Sequence, residues 1–232
     1  MELVMGIIVN ALAIVVGGLI GLVAKKGVSV KKFAIFGVSV SIISLVSFIE
    51  NVFQVQERSL KGEYLYVLIF SLIVGYFIGD ALKLDERVNS NSPKQKRNQA
   101  FSEASIFFIV GGLQISGPIL LGVSGDSSLL YLKSAIDFPF AIMFGAVYGK
   151  GTILSAIPVA IIQLLIAVLA HCVGDIISTQ MLVQLCSIGY VILFFSGINM
   201  ITDKSRKIST VNMLPSILII IIVNAVLSLL KG

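Results

Sequence analysis

Two charged residues lie inside one of the apolar segments of the chain. Lys133 and Asp137 are four residues apart in "GDSSLLYLKSAIDFP", so on a helix they share one face and can form an ion pair. A charge near the bilayer centre costs about 2.5–3.5 kcal/mol on insertion scales, and intramembrane charges usually mark functional sites. The pair predicts an ion or solute site centred on Asp137, and a structural pair that only fixes helix register is the alternative.

The first residues of the same stretch show a different pattern. Asp126 follows Gly125 and precedes Ser127, Ser128 and an apolar run. An acidic or hydroxyl side chain in this position typically accepts hydrogen bonds from the free N–H groups that begin a helix. The pattern favours a helix start at the outer surface of the membrane for Asp126, and a binding carboxylate is the alternative.

Amide side chains interrupt several other apolar segments. Alone, each amide is more often a hydrogen bond between helices than a ligand. Together with Asp137 they could form a polar pathway, in which Gln114 and Gln163 orient a substrate. The candidate binding residues outside the opening stretch are Asn10, Gln114, Gln163 and Asn199. The wider set of polar residues in apolar segments also contains Asp80, Asn212 and Asn224.

The composition is typical of an integral membrane protein. The chain of 232 residues is 57% hydrophobic and 12% charged, with a mean hydropathy of +1.03, whereas soluble domains are about 25% charged. A helix needs about 20 apolar residues to cross the bilayer core. We therefore predict an all-α fold, a polytopic bundle of about eight transmembrane helices, or seven if one segment is re-entrant. The candidate spans are residues 4–23, 33–49, 64–82, 104–123, 128–148, 152–170, 181–201 and 211–230.

Glycine and proline residues predict breaks in two of these helices. The segment "GGLQISGP", residues 111–118, contains three glycines, Pro118 and the polar Gln114, and Pro139 lies in the next span. A proline removes a backbone N–H and frees a carbonyl one turn earlier. Because transporters often build midplane sites from discontinuous helices, we predict proline-broken helices near 111–118 and 137–139. A kinked helix without a ligand is the alternative.

The basic residues predict the orientation of the chain. Basic residues concentrate in cytoplasmic loops, and most of the 17 Lys and Arg residues fall in segments 24–32, 83–103, 149–151 and 202–210. With eight spans these segments lie on one side, which puts both termini outside. The polar, basic segment 83–103 is predicted to be a cytoplasmic linker between the first three and the last five spans of a single domain. The first apolar run lacks a positive flank, so we predict a retained span and not a cleaved signal.

Several function classes have no support in the sequence. The net charge of +5 does not indicate a nucleic-acid partner, because basic residues in membrane proteins mostly mark loops. Two cysteines and one histidine cannot form a typical zinc site without carboxylates, so we predict no metal and no cofactor. The sequence contains no hydrolase, zinc-protease or phosphate-loop motif, so we predict no enzymatic activity.

Pairs of small residues indicate close helix packing in a bundle or in a homo-oligomer. The pairs inside the spans are Gly17/Gly21, Gly75/Gly79 and Gly145/Gly149. The partners that we expect are therefore membrane lipid, a small solute or ion, and a second copy of the chain.

Three stretches of the chain carry a family resemblance. They are "MGIIVNALAIVVGGLIGL" at 5–22, the block 125–170 with its Lys-Ser-x-x-Asp and "LSAIP" patterns, and "GINMI…VNMLPSILI" at 197–219. The chain resembles a bacterial membrane family known as domain-of-unknown-function family 554. The resemblance implies a polytopic α-helical bundle in a bacterial inner membrane, and it adds Ser134 to the candidate residues.

The sequence differs from the usual family pattern in the span before Asp126. Ile109 stands where that pattern has a cysteine, and Leu120 and Leu121 stand where it has a polar pair. If the polar pair belongs to the family site, this chain lacks part of that site or binds a different ligand.

Two functional hypotheses remain. The first is a secondary transporter or channel-like carrier of a small solute or ion, in which Asp137 is the cation or proton site and Lys133 tunes or gates it. The second is a membrane scaffold or sensor that transports nothing, whose buried polar residues serve packing alone. An intramembrane aspartyl enzyme is disfavoured, because Lys133 would keep both nearby carboxylates ionised.

Overall fold

The computed structural model describes residues 2–24, 30–57, 63–89, 93–109, 112–173, 179–203 and 206–231. Within these ranges the chain forms ten α-helices, one short 3-10 helix at Val211–Met213 and no strand. The helices are α1 Glu2–Val23, α2 Val30–Glu57, α3 Glu63–Ala81, α4 Leu84–Asn89, α5 Pro93–Ile109, α6 Gly112–Ser124, α7 Ser128–Tyr148, α8 Lys150–Val173, α9 Thr179–Ile201 and α10 Pro215–Lys231. The predicted all-α class is confirmed.

The described helices include six that are long and apolar enough to span a membrane, or seven if the bent pair α5–α6 counts as one span. The six are α1, α2, α3, α7, α8 and α9. The apolar α10 has 17 residues and is shorter than these. The prediction of about eight spans is therefore approximate, and it counts α10 as a full span.

The helix break lies earlier than the prolines predict. Helices α5 and α6 are bent by 56° where Ile109 ends one and Gly112 begins the other. Pro118 lies inside α6, and α7 continues as an α-helix through Pro139. The break predicted near 137–139 is therefore wrong, because α7 is continuous there, whereas a break does lie beside the predicted segment 111–118, between Ile109 and Gly112. A proline removes only one hydrogen bond of its helix, and the rest of α7 keeps the helix continuous.

Two predicted features fall partly outside the described residues. The basic segments 24–32 and 202–210 include residues 25–29 and 204–205, which the structure does not describe. Within the predicted linker 83–103 the chain forms α4 and the first part of α5. Its function as a linker stays a prediction.

The helices assemble into two compact units, each built from distant parts of the sequence. Unit 1 contains Met1–Phe36 and Asn89–Ile177, and unit 2 contains Gly37–Val88 and Ser178–Gly232. The boundary passes through α2, so this helix contributes to both units.

Unit 1 is organised around close packing of α1 on α7. A Cβ atom placed on Gly21 would clash with the backbone carbonyl of Ile142, and one on Gly17 would lie 2.6 Å from the carbonyl oxygen of Phe138. Only glycine lets these two backbones approach so closely. The same contact positions one face of α1 against the charged face of α7.

Unit 2 also contains close backbone packing at glycines, here of α3 against the 3-10 helix and α10. A Cβ atom on Gly79 would lie 2.6 Å from the Cα of Asn212, and one on Gly75 would clash with Ser216 at the start of α10. The predicted role in helix packing is confirmed for Gly17/Gly21 and Gly75/Gly79. In the third predicted pair Gly145 packs against Gly18, whereas Gly149 lies after the end of α7.

Candidate functional site

Five of the predicted polar residues meet in the interior of unit 1. Lys133 and Asp137 lie on α7, where the Lys133 Nζ donates to Asp137 Oδ2 over 2.7 Å. Asn10 of α1 donates its Nδ2 to the same carboxylate oxygen over 2.9 Å. Gln163 of α8 then donates its Nε2 to Asn10 Oδ1 and to Gln114 Oε1 of α6, both over 2.9 Å. We call this set of five side chains the polar chain.

The lysine has a second partner at the helix break. Lys133 Nζ donates to the backbone carbonyl of Phe108 over 3.1 Å. Phe108 is the second-last residue of α5, and the last four carbonyls of a helix have no partner within it. An ammonium group is favourable there because the C-terminal end of a helix carries partial negative charge. The break in the α5–α6 pair thus supplies a hydrogen-bond acceptor for Lys133.

Aromatic rings lie beside this contact. The Phe107 ring is 5.1 Å from Phe140 and 4.6 Å from Phe144, measured between centroids, and Phe108 is 5.8 Å from Phe144. These rings form an apolar cluster between α5 and α7, the two helices that the Lys133–Phe108 hydrogen bond joins. Low polarity around the pair strengthens the attraction between its two charges.

The polar chain is fully enclosed in this conformation. Lys133 and Asp137 are 4% and 5% exposed, and Asn10, Gln114 and Gln163 are 0% exposed. Two atoms of these side chains, Gln114 Nε2 and Gln163 Oε1, have no hydrogen-bond partner in the structure. A buried polar group left without a partner costs about 1–3 kcal/mol. The far end of the polar chain therefore carries a donor and an acceptor that the protein itself does not satisfy.

Three other predicted site residues lie elsewhere. Ser134 is buried on α7, but its hydroxyl donates to the carbonyl of Leu130 in its own helix. Asp126 is exposed and accepts a hydrogen bond of 2.8 Å from the backbone N–H of Ser128, as a helix-start residue does. Asn199 is in unit 2, where it donates to and accepts from the backbone of Ile208. The structure does not bring Asp126 or Asn199 to the polar chain.

The sequence analysis missed the Phe108 carbonyl. Every residue has a backbone carbonyl, so the residue type does not show which one binds a side chain. The available signal was the glycine-rich break that follows Phe108, because a break frees the carbonyls of the preceding turn. Among the residues that the structure describes, no group of three His, Cys, Asp or Glu is close enough together to hold a metal ion.

A second set of polar side chains, buried or half-buried, lies in unit 2. Asn224 of α10 donates to Gln184 Oε1 of α9 over 2.7 Å. On the same helix face Ser187 is hydrogen bonded to the Tyr64 hydroxyl at 2.6 Å and to Asn51 at 3.4 Å. These hydrogen bonds involve no charged side chain, which distinguishes the set from the polar chain. Asn224 was recognised in the sequence as a polar residue in a span, and Gln184 was not.

These features define a polytopic α-helical membrane protein that buries an ion pair beside a helix break. The chain belongs to the family described as "Protein of unknown function (DUF554)", whose model matches residues 5–225. The family predicted from the sequence is therefore confirmed.

Two relatives are similar to the chain along nearly its whole length. The "Uncharacterized membrane protein YdfK" of Bacillus subtilis (strain 168) is 26% identical over 217 residues, which is 92% of this chain and 93% of the relative. The "Uncharacterized protein YqgA" of Escherichia coli (strain K12) is 26% identical over 235 residues, covering 94% of each. No solved structure matches the chain.

Proposed function

We propose that the protein is a secondary transporter or channel-like carrier of a small solute or ion, and that the polar chain is its binding site. The observation that carries this proposal is a buried ion pair that continues through three amides beside a helix break. Buried charges in membrane helices are expensive and typically mark solute or ion pathways. Discontinuous helices are a common way to build such sites at the bilayer midplane.

The closed state of the polar chain fits a carrier in an occluded conformation. A solute can reach these residues only if unit 1 opens to water during the transport cycle. The alternative, a scaffold or sensor, is favoured by one observation: Lys133 and Asp137 already satisfy each other within α7. The two functions therefore differ in whether water reaches this part of α7.

Ser134 offers a test that requires no knowledge of the solute. It is 5% exposed next to Lys133, and its hydroxyl donates to the Leu130 carbonyl of its own helix, so Ser134→Cys is a mild change. In a background with Cys172→Ser and Cys186→Ser, the new thiol is expected to react with a membrane-impermeant maleimide in liposomes. The matched control is Ala167→Cys, at a fully buried position in the apolar core of unit 1.

The expected result is labelling at position 134 and no labelling at position 167. If both positions are equally unreactive from either side of the membrane, the polar chain does not open and the carrier function fails. If both are labelled at the same rate, the protein is unfolding and the labelling reports no pathway.

A flux assay then tests the assigned site. Proteoliposomes are loaded in turn with Na⁺, Cl⁻, protons and small neutral solutes, and Asp137→Asn is compared with the parent. Asp126→Asn is the matched control, because it changes an exposed carboxylate beside the same helix. Loss of flux in Asp137→Asn alone supports the site, and equal flux in the parent and Asp137→Asn refutes it.

We also propose that the protein lies in the inner membrane of a bacterium with both termini outside the cytoplasm. The support is the alternation of basic loops along the sequence. Fusions of a periplasmic phosphatase and of a fluorescent protein to the C-terminus distinguish the two orientations. A fluorescent fusion together with an inactive phosphatase fusion would overturn the proposed orientation.

A further inference from the structure

The unpaired donor and acceptor are at the end of the polar chain that lies farthest from the charges. Gln114 Nε2 and Gln163 Oε1 belong to amides that touch each other at 2.9 Å through their other atoms. Both side chains are 0% exposed. Buried polar groups in folded proteins nearly always have a partner. Two neighbouring exceptions with opposite hydrogen-bonding character indicate a ligand that accepts from one and donates to the other.

The ion pair fixes which atoms stay unpaired. Lys133 can only donate and the Asp137 carboxylate can only accept, so Asn10 must turn its NH₂ group toward Asp137. The carbonyl of Asn10 then faces Gln163, which must present its own NH₂ group. That group also donates to the carbonyl of Gln114. The NH₂ of Gln114 and the carbonyl of Gln163 are left over as a consequence of the charges at the other end.

The charge of the polar chain argues against an ion as the ligand. The positive charge of Lys133 and the negative charge of Asp137 neutralise each other at 2.7 Å, and the other three members are uncharged. An ion bound beside Gln114 and Gln163 would therefore have no counter-charge within the polar chain. Asp137 Oδ2, the carboxylate oxygen that joins Asp137 to the amides, already accepts from an ammonium and from an amide. A neutral ligand adds no uncompensated charge to a buried site.

We propose that the site at Gln114 and Gln163 takes a neutral molecule that has both a hydrogen-bond acceptor and an N–H or O–H donor. A carboxamide or urea-type solute has this chemistry, and so has water. This inference rests on the proposed carrier function and specifies the class of its substrate. The acceptor of the ligand faces Gln114 Nε2, and its donor faces Gln163 Oε1.

Stopped-flow light scattering of proteoliposomes tests the inference. The probes are acetamide, which has donor and acceptor, N,N-dimethylacetamide, which has only the acceptor, and an osmotic gradient that reports water. The parent protein is expected to raise acetamide permeability above that of empty liposomes and to leave N,N-dimethylacetamide permeability unchanged. If only water permeability rises, the ligand with this chemistry is water.

The substitution Gln114→Glu isolates the donor. In its ionised form it keeps an oxygen for Gln163 Nε2 and replaces the unpaired donor by an acceptor, so the acetamide or water permeability should then fall about tenfold or more. Gln114→Met serves as the second variant, because it removes the donor without adding a charge. Size-exclusion profiles that match the parent show that each variant is folded.

The possible results separate this inference from the carrier function. Equal entry of acetamide and N,N-dimethylacetamide overturns the inference, since the site would then need no donor. Currents of Na⁺ or Cl⁻ without any neutral permeability also overturn it, while the carrier function stands. Unchanged acetamide or water permeability in both Gln114 variants overturns it too. If the thiol of Ser134→Cys does not react, the proposed carrier function itself is refuted.

Discussion

Replacing Lys133 by methionine is expected to destabilise unit 1 by about 3–5 kcal/mol, the usual cost of breaking a buried ion pair by removing one partner. Methionine is one atom shorter than lysine and has no charge, and the substitution leaves the carboxylate of Asp137 with the amide donor of Asn10. It also removes the donor to the Phe108 carbonyl. Asp137→Asn is expected to cost a similar amount, because it leaves the Lys133 ammonium buried without a counter-charge.

The double variant should be more stable than the two separate costs suggest. With both substitutions no charge is left in the polar chain, and the remaining cost is that of unpaired neutral groups, about 2–4 kcal/mol in total. The coupling energy of Lys133 and Asp137 is therefore expected to be at least about 2 kcal/mol, above the average of about 0.6 kcal/mol for hydrogen bonds between membrane helices.

The thiol introduced by Ala167→Cys supplies the assay, since it lies in the core of unit 1 and reports the unfolding of that unit. Its modification rate is measured across an SDS titration for the parent, the two single variants and the double variant. Tryptophan fluorescence is no substitute, because the chain has no tryptophan. If the single costs simply add, with a coupling at or below about 0.6 kcal/mol, the pair is not a buried charged pair and the reasoning fails.

Three further substitutions test the fold of the two units. Gly21→Leu should destabilise unit 1 by about 3 kcal/mol or more by forcing α1 away from α7, whereas Val16→Leu on the exposed face of α1 should have little effect in the same SDS titration. Asp126→Ala should cost about 1 kcal/mol or less and leave the maleimide reactivity in the interior unchanged. Asn199→Ala removes two hydrogen bonds and should destabilise unit 2 by about 1–3 kcal/mol, measured by the reactivity of the buried Cys186. Equal reactivity of that thiol in variant and parent would contradict the last prediction.

The sequence predicts the membrane class and the members of the polar chain for a simple physical reason. A charge or amide in an apolar run is costly unless it finds a partner, so such residues tend to meet inside the protein. Asn10, Gln114 and Gln163 follow this rule. Asn199 satisfies the same need locally, against the backbone of Ile208, and no pattern in the sequence separates these two outcomes.

The position of the helix break is harder to predict. Pro118 and Pro139 each remove one hydrogen bond, and both helices continue through them. The break lies instead where α5 ends at Ile109 and α6 begins at Gly112. The break matters for the site because the Phe108 carbonyl beside it accepts a hydrogen bond from Lys133, which is 25 residues away along the chain. Such a long-range contact has no local signature.

The position of the ion pair within the sequence has a consequence for synthesis at the ribosome. Among the six single-helix spans in the described part of the chain, α7 has the lowest mean hydropathy, 1.4, against 2.5 for α1 and 2.6 for α8. When α7 leaves the ribosome, Asn10 and the Phe108 carbonyl have already been made, whereas Gln163 has not. The growing chain thus already contains a hydrogen-bond partner for each charge of α7 when that helix enters the membrane. The order of the helices along the chain therefore places the hydrogen-bond partners of both buried charges before the charges themselves.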